Sequence, residues 1–216
     1  MNHPTLIGIL AAGAGRRMQQ HGVADKLLAP VQNASVLEWS LRFACTSQRS
    51  EPLVQVAVVV GPEDDKRRAV ADACGVRVLV AAEAARGIRW SIHTLLAAAA
   101  HHDQSLAIVL ADDPLAIRAL PAVLQVASNE THAIVAVRRS SSAPHPVWLS
   151  RSVVSQLALH RPSGNDDHGL ASLLATAKVH WIDPSKELAD VQDVDEPHDL
   201  IRLDAAIRAL DDVHGS

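Results

Sequence analysis

Short runs of branched apolar residues recur along the chain, at 5–10 (TLIGIL), 54–60 (VQVAVVV), 76–81 (VRVLVA), 106–111 (LAIVLA), 132–137 (HAIVAV) and 178–183 (KVHWID). Their length and their Val and Ile content predict buried strands. Between them apolar residues return at helical spacing. This predicts helices over 35–46 with Ser35 as N-cap, over 63–75 with acids in the first turn and Gly75 at the end, and over 88–102. A helix over 115–128 carries Pro121 where it would kink or split, and a closing helix over 195–212 has Asp195 as N-cap and Pro197 in its first turn. Strand and helix alternate over about the first 140 residues. That order predicts parallel βαβ units, with helices on both faces of a doubly wound, mostly parallel α/β sheet. Residues 138–152 mix turn formers with a short strand-like piece, the mark of a small antiparallel excursion, and 160–169 (HRPSGNDDHG) reads as a polar loop. No repeat or low-complexity linker interrupts the 216 residues, which fit one domain.

Composition narrows the picture. Hydrophobic residues make up 48% and aromatic residues only 2%, so the core is expected to be close-packed Ala, Leu, Val and Ile. A net charge of −4 without a basic stripe argues against nucleic-acid binding. No apolar stretch approaches the ~20 residues of a membrane span, and the start lacks a secretory pattern. Cys45 and Cys74 fall in helical segments and read as small apolar fillers. A soluble cytoplasmic protein is the expectation.

Open sheets of this kind bind ligands outside the carboxyl ends of their strands. The first strand ends in Ala11-Ala12-Gly13-Ala14-Gly15, followed by Arg16, Arg17 and, after a short loop, Lys26. Residues this small let backbone N–H groups approach a ligand and form an anion-binding concavity, so the inferred ligand is a polyphosphate. The alternative is a glycine-rich turn with solvated arginines. A dinucleotide fingerprint fails, because its third glycine is Met18 and the nearest acid, Glu38, lies inside a predicted helix. The G-x-x-x-x-G-K-[ST] loop is absent.

The strand at 106–111 runs into Asp112-Asp113-Pro114. Neighbouring strand residues point to opposite faces, so the two carboxylates are not expected to serve together. One facing the phosphates would hold a hard cation such as Mg²⁺, while Asp113 also fits an Asp-Pro helix cap. Among the twelve histidines only His145 sits in a segment of interest; the others read as dispersed surface residues.

These segments together resemble the nucleotidyltransferases, and most of all the molybdenum cofactor cytidylyltransferases. LAAGAGRRM followed by DKLLAP is similar to the family signature L-A-A-G-x-S/G-x-R-M-G-x-x-K-x-L, with Gln19 in place of a glycine and a loop to Lys26 three residues longer. The resemblance implies a Rossmann-like fold of the nucleotide-diphospho-sugar transferase type. The nucleotide-binding half would span about 1–113, the acceptor-binding half about 114–202, and the closing helix 196–212. It implies base contacts at Leu10, Ala11, Ala12 and Gly13, and phosphate contacts at Gly15, Arg17 and Lys26. LADDP is similar to the family's L-G-D-x-P, which makes Asp112 a metal ligand, with Ala111 for glycine. DVDEPHDL is similar to D-I-D-T-P-x-D-L, which makes Asp195 the second ligand, in competition with its reading as a helix cap. The segment 85–99 brings Gly87 and Ser91 to the nucleotide. APHPVWL and NDDHGLASLL bring His145, Pro146, Asp167 and Gly169 to the acceptor, with departures at Pro144 and Ala171. Trp90, next to Ser91, could wall a pocket or simply pack.

The implied reaction is attack by an acceptor phosphate oxygen on the α-phosphorus of a nucleoside triphosphate, with Mg²⁺ as cofactor and Lys26, Arg17 and Asp112 as the catalytic group. LAAG rather than LAGG leans toward CTP. The partners implied are small-molecule substrates, and a molybdoenzyme or its maturation chaperone. Two alternatives stay open: a nucleotide- or pterin-binding carrier without turnover, and a transferase for a sugar phosphate or another phosphate acceptor.

Overall fold

The computed structural model describes residues 3–13, 18, 21–129, 131–139, 143–163, 170–184 and 193–214. Strand β1 (Thr5–Leu10) lies inside the sheet and is buried along its whole length. A 3-10 turn at Lys26–Leu28 and a two-residue hairpin, β2 (Pro30–Val31) and β3 (Ala34–Ser35), lead to helix α1 (Val36–Ser50). Ser35 caps α1 as the sequence predicts, its hydroxyl accepting from the Glu38 amide at 3.2 Å. β4 (Val54–Val60), α2 (Asp65–Ala73) and β5 (Arg77–Val80) follow. The chain leaves α2 through Gly75 at φ 68°, a left-handed conformation that favours glycine.

After β5 the chain crosses back through α3 (Ile88–His101) to β6 (Ser105–Leu110), on the other side of β1. The segment 114–127 is divided into α4 (Pro114–Ile117) and α5 (Leu120–Ala127), with Pro121 in the first turn of the second piece, so the proline splits the helix. β7 (Ile134–Val137), β8 (Val147–Leu149), α6 (Arg151–Ala158), α7 (Ala171–Thr176), β9 (His180–Ile182) and α8 (Pro197–His214) complete the order.

The main sheet runs β5-β4-β1-β6-β8-β7-β9. β5, β4, β1 and β6 are mutually parallel, β8 is antiparallel to both β6 and β7, and β9 is parallel to β7. The expected antiparallel excursion is therefore β8 alone. One face of the sheet is covered by α1, α5 and α8 over a core that includes Ile7, Val58, Leu41 and Ile207. The other is covered by α3 and α6 over Leu6, Val59, Leu95 and Val154. Gly8 allows α3 this close approach, because a Cβ there would stand 2.5 Å from the Leu95 methyl carbons. No helix among the described residues is long and apolar enough to cross a membrane.

Strand order reverses between β1 and β6: from β1 the chain moves outward to β4 and β5, then returns. The carboxyl ends of β1 and β6 flank this switch point, where open α/β sheets place their ligands.

Candidate active site

Beyond β1 the chain opens in steps. Leu10 and Ala11 are buried, Ala12 is half-buried and Gly13 is exposed. Among the described residues a Cβ on Gly13 would meet nothing within 4 Å, so their packing does not require glycine there. Of the phosphate-loop residues expected from the sequence, Gly15 and Arg17 lie outside the described residues. Met18, fully buried in the core, fixes the far side of that stretch.

Arg67 fastens this loop from below. It projects from α2 and is only 5% exposed. Its Nη1 donates to the carbonyls of Ala11 and Gly13, the latter at 3.0 Å. Its Nε and Nη2 hold both carboxylate oxygens of Asp25, at 2.8 and 3.0 Å. Asp25 in turn caps the 3-10 turn that begins at Lys26, accepting from the Leu27 amide at 2.9 Å. One guanidinium thus ties the end of β1 to the residue before Lys26.

Lys26 reaches the switch point across its lengthened loop. Its Nζ lies 2.7 Å from Asp112 Oδ2 and 2.9 Å from Asp195 Oδ1. Burial lowers its pKa, but the Asp112 and Asp195 carboxylates outweigh that, so Lys26 holds its proton more firmly than a free lysine. Asp112 and Asp195 are brought together by the backbone, through the Val194 amide donating to the Asp112 carbonyl at 2.9 Å. Val194 is buried, and the acids on either side of it share the opposite direction.

That alternation adds a residue the sequence reading missed. Asp112, Asp193 and Asp195 each offer a carboxylate oxygen within 4.8 Å of the others. Burial, then the charges of Asp112 and Asp195, raises the Asp193 pKa above the usual carboxylate range. The spacing D-V-D was the available signal. Three carboxylate oxygens this close together, with Asp112 and Asp195 already on the Lys26 ammonium, fit a hard divalent cation.

One expectation is corrected here. Asp195 stands one residue before the N-cap position of the closing helix, and its carboxylate pairs with Lys26. The capping oxygen is Asp199 Oδ2, which accepts from the amides of Asp195 and Glu196 at 3.1 and 2.8 Å. The helix itself starts at Pro197.

Asp113 turns the other way, as alternation requires. Fully buried, it caps α4 through the Ala116 amide at 3.1 Å. Its Oδ2 also accepts from Arg139 Nη2 at 2.7 Å and lies 3.2 Å from His145 Nε2. Burial pushes its pKa up, but the His145 bond and charge, the Arg139 charge and the Ala116 amide together hold it below the usual range. His145 and Pro146 are buried at the start of β8, on the same edge of the sheet. His145 lines an apolar cavity of about 130 Å³ with Leu10, Ile92 and Leu110, and its Nδ1 has no hydrogen-bond partner among the described residues. Asp167 and Gly169 lie outside the described residues.

Gly87 precedes α3 at φ 126°, a backbone that side chains rarely adopt. Ser91, in the first turn of α3, is only 4% exposed, so it faces packing more than open space. Trp90 is also buried. The Arg86 and Arg161 guanidinium groups lie 4.2 and 5.2 Å from its ring, and both arginines bond Glu83. The packing reading of Trp90 is the one its surroundings match.

Residues 7–181 match the model of the MobA-like NTP transferase domain. Among solved structures, the chain is similar to the Rv0371c homologue from Mycobacterium sp. strain JC1, at 25% identity and TM-score 0.70, covering 95% of this chain and 98% of that one. It is similar to Rv0371c of Mycobacterium tuberculosis H37Rv in complex with manganese, at 23% identity and TM-score 0.62, covering 93% and 97%. Molybdopterin-guanine dinucleotide biosynthesis protein A from Archaeoglobus fulgidus shares the fold at 15% identity and TM-score 0.64, covering 94% and 99%. No functionally curated protein matches the sequence significantly. With a loop, lysine and acid cluster placed at the switch point and a family match across most of its length, the chain belongs to the MobA-like NTP transferases and is a nucleotidyltransferase.

Proposed function

We propose that the chain transfers CMP from CTP to the phosphate of molybdenum cofactor, with Mg²⁺, and releases pyrophosphate. The observation that carries this reading is the meeting of Lys26, Asp112 and Asp195 at the switch point. The nucleotide would lie over Leu10–Gly13, its phosphates toward Gly15, Arg17 and Lys26, with Gly87 and Ser91 flanking the base. Residues 1–113 would serve the nucleotide and 114–202 the acceptor, through His145, Pro146, Asp167 and Gly169. The chemistry needs no protein nucleophile. An acceptor phosphate oxygen bonds to the α-phosphorus as the bond to the bridging oxygen of the β-phosphate breaks, and that electron pair leaves with pyrophosphate. Asp112 and Asp195, joined by Asp193, would hold Mg²⁺, which when bound neutralises phosphate charge. Lys26 and Arg17 stabilise charge and hold the triphosphate in line. The product would pass to a molybdoenzyme or its maturation chaperone.

The preference for CTP rests on the LAAG segment, and the choice of acceptor on the APHPVWL and NDDHG segments. Pyrophosphate release is measured with each of the four nucleoside triphosphates and Mg²⁺, with and without molybdenum cofactor, beside Asp112→Ala. The reading expects release with CTP that depends on the cofactor and is abolished by the substitution. Release that instead depends on a sugar phosphate moves the chain to that acceptor class. Tight nucleotide binding with no release for any acceptor makes it a carrier.

A further inference from the structure

We propose that Asp113 is a positioning residue for the acceptor, clamping both stems of the β7–β8 connection to the turn that carries Asp112. This role rests on the reading of His145 and Pro146 as acceptor residues. β7 ends at Val137 and β8 begins at Val147, antiparallel to it, with Ala136 opposite Val147. The connection between them leaves and re-enters the sheet beside the carboxyl end of β6. Arg139 stands two residues beyond β7, and His145 two residues before β8. Both turn inward to one atom, Asp113 Oδ2, at 2.7 and 3.2 Å. The other oxygen, Oδ1, accepts from the Ala116 amide at 3.1 Å. An ionised carboxylate only accepts, so His145 presents Nε2 to it as N–H. The neighbouring Arg138 points outward instead, to the exposed Asp183 at 3.3 Å.

The turn beneath Asp113 is itself fixed. Ser40 Oγ, fully buried, donates to the Ala111 carbonyl at 2.7 Å, and the Val194 amide donates to the Asp112 carbonyl at 2.9 Å. One peptide unit thus separates the carboxylate that meets Lys26 from the carboxylate that gathers the two stems. Stability gives a weak reason for this arrangement. The side chains of Asp113, Arg139 and His145 are 0, 2 and 3% exposed. Charges taken that far from water lose much of what their attraction returns, and apolar groups of similar volume often hold a fold as well. Apolar packing does not supply direction, whereas three hydrogen bonds to one carboxylate fix how the stems lie. Group transfer depends on such direction, because a misplacement of about 1 Å can cost about a hundredfold in rate. Asp113 itself touches no substrate; it acts through His145 and Arg139.

The test separates folding from positioning. Asp113→Leu with Arg139→Met removes both charges together, and Arg138→Gln serves as the surface control. Folding is followed by thermal unfolding, and nucleotide affinity by calorimetric titration with CTP and Mg²⁺. Transfer is followed by pyrophosphate release at varied molybdenum cofactor, with glucose 1-phosphate in its place if release depends on a sugar phosphate. The proposal expects a folded double variant whose Kd for CTP stays within about twofold of the parent, while kcat/KM for the acceptor falls roughly ten- to a hundredfold. Arg138→Gln should match the parent in every measurement. A double variant that folds and transfers like the parent overturns the role. A loss shared equally by nucleotide and acceptor, or a double variant that does not fold, marks the pair as structural and overturns it too. A parent chain that transfers to neither acceptor removes the acceptor reading itself, and this role with it.

Discussion

Arg67→Met tests whether one buried guanidinium sets the nucleotide loop. The substitution keeps the aliphatic stem and removes every polar bond at its end. It strips Asp25 of both its arginine bonds and leaves the Ala11 and Gly13 carbonyls without that donor. Truncating one partner of a buried pair costs about 3–5 kcal/mol. The Asp25 side chain is 23% exposed and Asp64, the other acid at this arginine, 29%, so water recovers part of the loss. A destabilisation of about 2–4 kcal/mol is expected. For a chain of this size that lowers Tm by roughly 4–16 °C, at about 2–4 °C per kcal/mol.

Stability alone would leave the loop argument untouched, so the assay has two arms. Urea unfolding gives the midpoint and slope, and nucleotide affinity is measured where both proteins are fully folded. Loss of the carbonyl anchors frees the peptide planes of residues 11–13, and affinity should fall at least tenfold. Arg67→Lys should rescue little, because one ammonium cannot meet a bidentate carboxylate and two carbonyls together. A midpoint within about 0.5 kcal/mol of the parent, the usual range of a surface change, refutes the burial argument. A lowered midpoint with unchanged affinity refutes the positioning argument.

Asp113 has its pKa depressed in the folded state, so its stabilisation is complete above the ordinary carboxylate value of about 3.9 and disappears as pH falls through the lower folded value. Asp113→Asn should therefore cost about 3–5 kcal/mol at neutral pH and flatten the acid limb of unfolding below about pH 4; an unchanged limb counts against it. Gly8→Ala should cost about 1–3 kcal/mol through overpacking against Leu95, and Leu95→Ala should couple to it favourably in a double-mutant cycle. Lys26→Met removes the tethered cation between Asp112 and Asp195, so nucleotide-free protein should bind Mn²⁺ about tenfold more tightly by titration calorimetry while transfer activity falls. Equal or weaker Mn²⁺ binding would sink that account.

The features legible in the sequence are those with a local cause. Ser35 before Val36, Pro121 inside an apolar repeat and the small residues after β1 each act within a few positions, and each is where the letters place it. Asp112 and Asp113 divide their roles because neighbouring residues diverge. What escaped is long-range. Arg67 sits in a run of charges, DDKRR, that reads as a solvated helix face. It is buried with Ala71 one turn later because a loop more than forty residues earlier supplies Asp25. Asp193 was visible in D-V-D, but its membership in the cluster depends on Val194 pairing with the carbonyl of Asp112, a contact across the fold. Asp195 matched a helix cap by position, and Asp199 took that role with geometry that a string of letters does not carry.

The charge balance at the switch point also changes what the loop can do unaided. Three carboxylates face one another there, and the only cation among them in the described residues, Lys26, is already paired with two. Arg67 and Arg139 are engaged with Asp25 and Asp113. Across the described residues the edge is therefore net negative, and each of these carboxylates opposes a bare triphosphate by the order of a kcal/mol at several ångströms, against whatever Arg17 contributes. A divalent cation held by Asp112, Asp193 and Asp195 would reverse that sign and leave Lys26 free for the phosphates. Nucleotide should accordingly bind as its metal complex: affinity measured with excess chelator should be at least tenfold weaker than with Mg²⁺. Asp112→Asn with Asp195→Asn should shrink that difference by removing the repulsion. Nucleotide binding that is equally tight in chelator would mean that the loop alone holds the phosphates and that the acid cluster acts only in the transfer step.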